Sequence, residues 1–275
     1  MSVDVTGAER APRSSGPGRG SWELAAAVVL VAIALGALGF GIAVGWPGTE
    51  TACAHQRCWC EALQPGPVRE PWNTFSNLPL FGLCLFVAAR AGAERRRGRR
   101  RANAVLVTFA YALWLQGTGA LLYHASLVGW TSVIDGASVL AIWGALASTS
   151  LLRLFRAPPK LLCFAVPAAL IAAVAYRLGV QAEIEAPGFF LMLFTLGMEP
   201  VILFRQRAPR RLRELAIGFA AFLGSVLVWN LALPGRAWCE AAFPWHAAWH
   251  ILAGLAVVFF GLHAAENAER DARQG

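Results

Sequence analysis

Long apolar stretches separated by short clusters of arginine are the feature that most limits how this 275-residue chain can fold. Eight of these stretches approach or exceed the roughly 20 residues that an α-helix needs to cross a bilayer. Only 15% of the residues are charged, which is too few for an ordinary soluble domain of this length. The sequence therefore predicts an all-α, polytopic membrane helix bundle with spans at about 23–46, 72–91, 104–127, 132–152, 161–178, 188–204, 215–233 and 244–265.

The basic residues predict the orientation of these spans. The formal charge is +8, and the basic residues lie in short clusters between the apolar stretches. If the N-terminus is cytoplasmic, 20 of the 24 basic residues fall inside, and only Arg57, Arg69, Arg177 and Arg236 fall outside. This bias follows the positive-inside rule, so we expect both termini on the cytoplasmic side of a bacterial-type cell membrane. Membrane topology explains the charge, and no nucleic-acid partner is expected.

The composition changes along the chain and predicts five regions. Residues 1–21 are rich in Gly, Pro, Ser and Arg and are expected to be disordered. Residues 22–46 form an apolar segment that is too long for the core of a cleaved signal peptide, so a retained transmembrane helix is predicted. Residues 47–71 form an outer loop, 72–265 a seven-helix core, and 266–275 a cytoplasmic tail of mixed charge.

Three histidines and an aspartate predict a metal site on the outer side. His246 and His250 are four residues apart at the start of the eighth stretch and share one face of a helix. His124 ends the third stretch, and Asp135 follows in the first turn of the fourth. Polar groups in hydrocarbon are costly and usually functional. The histidine pair alone is also compatible with interfacial histidines bonded to backbone carbonyls, but the convergence of all four groups favours a metal.

Three imidazoles leave a tetrahedral zinc ion with one open position, which is typical of catalytic sites. Zinc lowers the pKa of bound water to about 7 and can polarise a carbonyl group. Asp135 is the candidate that takes a proton from that water or orients it. The same residue is also a candidate N-cap of the fourth helix, and the two roles are compatible.

Other polar residues receive less specific predictions. Cys84 and Cys163 lie within apolar stretches and are expected to be unreactive core thiols. His263 lies over three helical turns from His250, so it cannot join the same metal and is expected at the membrane interface. Glu199 is expected to snorkel or to pair with a basic residue. A second zinc site drawn from loop residues is not favoured, because the spacing lacks a paired C-x-x-C motif in the group Cys53, His55, Cys58 and Cys60.

Three motifs resemble those of the alkaline ceramidase family of integral-membrane amide hydrolases. They extend from Trp59 to about Ala265, roughly three-quarters of the chain, and their order and spacing agree with the family. The motifs are W-C-E at 59–61 with E-P-W-N-T-F-S-N at 70–77; G-T-G-A-L-L-Y-H at 117–124 with Asp135 eleven residues on; and V-W-N at 228–230, W-C-E at 238–240 and H-A-A-W-H at 246–250.

The resemblance implies a seven-helix bundle in which the three histidines hold zinc and Asp135 acts as the acid/base partner of the zinc-bound water. It also implies a disulfide bond between Cys60 and Cys239, which the predicted topology allows because both cysteines lie outside. The helix at 22–46 would then be an addition before the family's core.

A calcium site is also implied, by Glu61, Glu70 and the Trp59 carbonyl. Two positions where family members with calcium have Asp and Asn hold Cys58 and Leu63 here, and the loop is about two residues shorter. Because calcium prefers six to eight oxygen ligands, the residues that remain do not favour a complete site.

The predicted function is zinc-dependent hydrolysis of the amide bond of ceramide or a related N-acyl membrane lipid. One departure from the family is Ala120, which stands where the family has a Ser thought to steady the oxyanion. This departure leaves hydrolysis of an ester lipid as an alternative. A further alternative is a non-catalytic zinc-containing receptor or structural protein, because the related adiponectin-receptor-like proteins share the zinc-histidine arrangement.

Overall fold

A computed structural model gives the fold of the chain, and all long elements of the described part are α-helices. Three predictions fall on residues outside the described part of the chain. They are the disordered tail at 1–21, of which only Ser21 is described, the thiol of Cys163, and most of the fifth span at 161–178. The described residues are 21–56, 58–162, 167–168, 171, 174–175, 185–205, 211–236, 239 and 243–273.

The helices described over their full length agree with the spans predicted from the apolar stretches. Six helical segments of the described residues are long and apolar enough to cross a membrane, and the α2–α3 pair counts as one of them. These observations confirm the all-α, polytopic prediction. The helices are α1 (Trp22–Val44), α2 (Pro71–Phe75), α3 (Leu78–Arg96), α4 (Arg100–Ser126), α5 (Gly129–Phe155), α6 (Glu185–Arg205), α7 (Leu212–Leu231) and α8 (Trp245–Arg273).

The second predicted span is divided into two helices. The short helix α2 ends at Phe75, and α3 begins two residues later at Leu78 with Pro79 in its first turn. Proline suits this position because the first helical residues have no intrahelical partner for their N–H groups. The break leaves Ser76 outside both helices, where its side chain is free to reach another element.

Helix α4 is the central element of the bundle and packs against α1, α3, α5 and α8. Its buried side includes Val105, Phe109 and Leu113, which belong to the main hydrophobic core. The C-terminal end of α4 carries His124, and the N-terminal end of α8 carries His246 and His250. These two helix ends meet at the same end of the bundle, which we call the histidine end.

The additional helix α1 is fixed to this core by polar contacts. Glu23 is buried near its start and pairs with Arg95 at 2.7 Å, and it accepts a hydrogen bond from Asn103 at 2.9 Å. Farther along, the indole of Trp114 donates to the Leu30 carbonyl at 2.8 Å. The opposite side of α1 exposes large apolar side chains such as Phe40, as expected for a helix in contact with lipid.

The loop between α1 and α2 covers the end of α4. Backbone hydrogen bonds join Thr51 to Leu127 at 2.8 Å and Arg69 to Ala125 at 2.9 Å. The Glu70 amide donates to the carbonyl of His124 at 3.1 Å, which places the Glu70 side chain beside the histidine. The loop therefore closes the histidine end.

Candidate metal centre

The three predicted histidines converge in the interior of the bundle. None of the three side chains is more than 2% exposed. The Nε2 atoms of His124 and His246 are 3.2 Å apart, and one candidate ligand atom from each histidine lies within 4.8 Å of the others. The structure thus brings His124 to two histidines that lie more than 120 positions later in the sequence. We call this group of three the histidine cluster.

Glu70 fixes the orientation of His124. Its Oε2 atom lies 2.5 Å from Nδ1 of His124, and both side chains are fully buried. A carboxylate accepts the Nδ1 proton, so the lone pair of His124 lies on Nε2, the atom that faces His246. Carboxylate–histidine pairs of this kind commonly support metal-binding imidazoles.

Ser76 fixes the orientation of His250. The hydroxyl of Ser76 donates its one proton to the Asn73 carbonyl at 2.9 Å. Because that proton is used, the Ser76 oxygen accepts from Nδ1 of His250 at 2.8 Å, and the lone pair of His250 lies on Nε2. The Nε2 atom is buried and has no hydrogen-bond partner among the described residues.

His246 is held between two indole rings. Trp59 stacks on it with ring centroids 3.9 Å apart, and Trp249 stacks at 5.1 Å. These contacts fix the plane of the imidazole without using its nitrogen atoms. The first ring comes from the loop and the second from α8, so the loop contributes directly to the geometry of the cluster.

The cluster has the properties that a metal ion requires. The Nε2 lone pair of His124 faces Nε2 of His246 at 3.2 Å, so it can accept a proton from His246 or share a cation with a deprotonated His246 nitrogen. Imidazole nitrogens bound to tetrahedral zinc at about 2.0–2.1 Å are themselves roughly 3.3–3.4 Å apart, close to the observed separation. The buried His124, His246 and His250 cluster could therefore hold a metal ion.

Asp135 lies in the second turn of α5, which packs against α4, the helix that carries His124. The helix begins at Gly129 with Val128 as its N-cap residue, so the interpretation of Asp135 as the N-cap is wrong. A Cβ atom at Gly119 would lie only 2.9 Å from the Asp135 Cα atom, so glycine at 119 allows α5 to approach α4 one turn before His124.

Ala120 is fully buried on α4, one turn before His124. Positions four residues apart share a helix face, so its methyl group occupies the place where the resemblance expects a hydroxyl. The side chain of Ala120 offers no hydrogen-bond donor, and the departure seen in the sequence therefore persists as a property of the site.

Two disulfide bonds lie at the histidine end. Cys60 and Cys239 are bonded, with Cα atoms 4.8 Å apart, as the resemblance implied. Cys53 and Cys58 form a second bond, which the sequence did not predict. Both bonds remove the cysteines from the alternative zinc site in the loop, and the remaining member, His55, is exposed and pairs with Glu50 at 3.2 Å.

The carboxylates assigned to calcium are already engaged with protein donors. Glu61 accepts hydrogen bonds from the backbone amides of Trp72 at 2.7 Å and Asn73 at 2.8 Å, so it caps the start of α2. Burial raises the pKa of Glu61, and these two amides oppose the shift. Two nearby oxygens, Oε1 of Glu70 and Oδ1 of Asn73, have no hydrogen-bond donor among the described residues and could accept a cation. A calcium ion at Glu61, Glu70 and Trp59 stays a prediction.

Two expectations about the other end of the bundle have different outcomes. Glu199 pairs with Arg153 at 2.9 Å, as expected for an acidic residue within a span. His263 is only 1% exposed and contacts Glu199 at 2.9 Å. A buried ion pair on two neighbouring helices supplies its partner, and the location of His263 at the membrane interface stays a prediction.

Sequence reasoning missed the partners that orient the histidines. The resemblance assigns Glu70 to calcium, and it includes Ser76 only as part of the N-T-F-S-N motif. A serine or carboxylate near a helix start normally indicates a cap, so the local pattern gives no reason to pair these residues with histidines on other helices. The only available signal was their place within the motif.

The fold and the site together define a class: an integral-membrane helical protein with a buried three-histidine cluster suited to a metal ion. The sequence model of the Ceramidase family matches residues 56–269, which include the histidine cluster, Asp135 and both ends of the Cys60–Cys239 bond. The chain therefore belongs to the Ceramidase family. Helix α1 precedes the matched region. No curated relative matches the chain.

Proposed function

We propose that the protein is a zinc-dependent intramembrane hydrolase that cleaves the amide bond of ceramide or a related N-acyl lipid, releasing a fatty acid and an amine. Membership of the Ceramidase family implies amide hydrolysis. The observation that carries the proposal is the buried, pre-oriented histidine cluster, in which second partners fix two of the three imidazoles.

His124, His246 and His250 would hold the metal ion through Nε2 atoms. A bound zinc ion supplies Lewis acidity, which polarises a carbonyl oxygen and makes water more acidic. Glu70 and Ser76 retain the Nδ1 protons of His124 and His250, so these two rings present lone pairs without rearrangement. Trp59 and Trp249 keep the ring of His246 in place and exclude water from its faces.

Asp135 is the proposed acid/base residue. It lies on α5 beside Gly119, where α5 approaches α4, and we propose that its carboxyl group contacts the attacking water and the substrate. As a carboxylate it accepts a proton from the attacking water. As a carboxylic acid it then donates a proton to the leaving amine nitrogen, which must be protonated before it departs.

The location of the site supports a lipid substrate. The histidines belong to α4 and α8, two helices long and apolar enough to span a membrane, and they lie near the helix ends. A substrate that reaches the site from the bilayer must have an apolar chain, with the bond to be cleaved near its headgroup. We further propose that the histidine end faces the outer side and that both termini are cytoplasmic, because this orientation places most arginines inside.

An ester lipid is a second candidate substrate, and Ala120 favours it. An ester has a better leaving group than an amide, so it depends less on a hydrogen-bond donor that stabilises the developing oxyanion. The buried methyl group at 120 provides no such donor.

The proposal is tested with the purified full-length protein in detergent. Fatty-acid release is measured from a short-chain ceramide and from an ester of the same acyl chain, before and after metal chelation and after addition of zinc. We expect the amide to be cleaved, the activity to be lost on chelation, and zinc to restore it. Cleavage of the ester without cleavage of the amide would favour the second candidate. Stoichiometric zinc without cleavage of either lipid would indicate a non-catalytic protein.

A further inference from the structure

A second polar cluster is buried at the end of the bundle opposite the histidine end. Arg153 of α5 donates from Nη1 to both carboxylate oxygens of Glu199 on α6, each at 2.9 Å. His263 of α8 contacts the same carboxylate at 2.9 Å. We call Arg153, Glu199 and His263 the arginine cluster. His263 lies 13 residues after His250, about 20 Å along α8, so the two clusters are separate.

The contacts of His263 favour its protonated form. Nε2 faces Oε1 of Glu199, and Nδ1 faces the backbone carbonyl of Arg211 at 3.0 Å. Both partners are acceptors, and the carboxylate already receives Arg153, which keeps it ionised. These two acceptors favour an imidazolium with a proton on each nitrogen, and the amide nitrogen of Asn267 lies farther away, 3.4 Å from each ring nitrogen. With His263 protonated, the arginine cluster carries two positive charges and one negative charge.

The excess positive charge borders a cavity. A space of about 30 Å³ lies beside Arg153, and an internal space needs only about 10–15 Å³ to hold one water molecule. The Arg153 side chain is 1% exposed, yet its Nε and Nη2 groups have no hydrogen-bond partner among the described residues. Hydroxyl-bearing side chains of Thr149, Ser150 and Thr195 also line the space, and the rest of the lining is mainly Leu and Phe.

We propose that this cavity binds a small monovalent anion of halide size, such as chloride. The anion would accept hydrogen bonds from Nε and Nη2 of Arg153 and would neutralise the net positive charge of the arginine cluster. An unpaired donor on a buried guanidinium is costly, and an uncompensated buried charge is more so. An anion removes both costs, whereas a water molecule removes only the first. The bound ion would join α5, α6 and α8 at this end of the bundle.

The proposal is tested by two measurements on the full-length protein. Crystals of the wild type soaked in sodium bromide should give an anomalous difference peak in the cavity next to Arg153. In thermal unfolding, sodium chloride should raise the apparent Tm above that in sodium gluconate at equal ionic strength, by about 2–4 °C if binding contributes about 1 kcal/mol.

Two variants make the thermal test specific. Arg153→Lys keeps a positive charge that can pair with Glu199 but lacks the Nε and Nη2 donors. The rise in Tm with chloride should therefore disappear in this variant. Arg156→Lys changes an exposed arginine one turn away and should respond like the wild type. A cavity that contains only water in the bromide-soaked crystal would overturn the proposal. An equal chloride response in the wild type and Arg153→Lys would overturn it as well, since that result indicates a general salt effect.

Discussion

The two ends of the bundle each bury a histidine next to a glutamate, and the pairs differ in what the second ring nitrogen meets. At the histidine end, Glu70 holds Nδ1 of His124, and Nε2 points at another imidazole. At the opposite end, Glu199 holds Nε2 of His263, and Nδ1 points at a backbone carbonyl. The first arrangement could hold a metal ion between the rings, whereas the second places a hydrogen-bond acceptor at each nitrogen of the ring.

This difference shows that a buried histidine–carboxylate pair does not by itself identify a metal site. The carboxylate fixes the protonation of one ring nitrogen, and the partner of the other nitrogen decides what the histidine can bind. Lone pairs that converge from three rings make a ligand set, while a carbonyl acceptor makes an ion pair. The supports differ too, since a loop with two disulfide bonds closes the histidine end, and ion pairs between helices hold the arginine cluster.

The largest expected effect separates the two ends by metal content. His250→Ala removes one of three ligands, so bound zinc should fall from about one per chain to almost none. His263→Ala should leave zinc content unchanged because this histidine belongs to the arginine cluster. Elemental analysis of both variants, purified in the same way as the wild type, checks this. Equal zinc content in His250→Ala and the wild type would remove His250 from the site.

The second prediction concerns how the histidine end is supported. The Cys60–Cys239 bond closes a loop of 179 residues, whereas Cys53–Cys58 closes one of only five. Loop-closure entropy predicts that the long bond contributes about 5 kcal/mol to the free energy of unfolding and the short bond about 2 kcal/mol. Paired Cys→Ser variants, compared by their resistance to denaturant, measure the difference. A larger loss from the short bond would contradict the entropic account.

The third prediction separates catalysis from metal binding at the histidine end. Asp135→Asn should lower the hydrolysis rate about 10²–10⁴-fold while zinc content stays at the wild-type level, because Asp135 is proposed to transfer protons. Glu214→Gln is the control, since this carboxylate pairs with Arg211, which contacts His263 at the end of the bundle opposite the histidine cluster. If the Asp135→Asn rate matched that of the wild type, another group would have to be the acid/base residue.

The fourth prediction compares the two glutamates directly. Glu70→Gln should weaken zinc binding about 10–100-fold, because an amide is a poorer acceptor for the His124 proton. Glu199→Gln should leave zinc affinity unchanged and instead lower stability by about 3–5 kcal/mol, since it leaves Arg153 and His263 without their buried counterion. Competition with a zinc chelator and denaturant unfolding provide the two readouts. Weaker zinc binding in both variants would mean that the ends are coupled.

The smallest expected effect concerns Ala120. A serine at this position would present a hydroxyl one turn before His124, where the oxyanion of amide hydrolysis is expected to form. We expect Ala120→Ser to raise the rate of amide cleavage about tenfold, or about 1.4 kcal/mol of transition-state stabilisation. Amine release from a short-chain ceramide measures it, with Ala125→Ser, at another buried position of α4, as the control. Equal rates in all three proteins would show that a hydroxyl at 120 is not needed.

The sequence by itself determined the helical membrane fold, because the length and apolar character of each stretch are local properties that a bilayer selects directly. It also placed His246 and His250 on one face, since the helical period alone sets that relationship. Residues that matched a known motif were predictable as well, as the Cys60–Cys239 bond illustrates.

Only the tertiary structure decided which side chains meet across helices. The break between α2 and α3 turns Ser76 toward His250, and the loop bonded to the end of α4 brings Glu70 to His124. Likewise, α5, α6 and α8 had to pack before Arg153, Glu199 and His263 could share a cavity. These contacts join residues 46 to 174 positions apart, and no local periodicity encodes them, because they depend on how whole helices pack against one another.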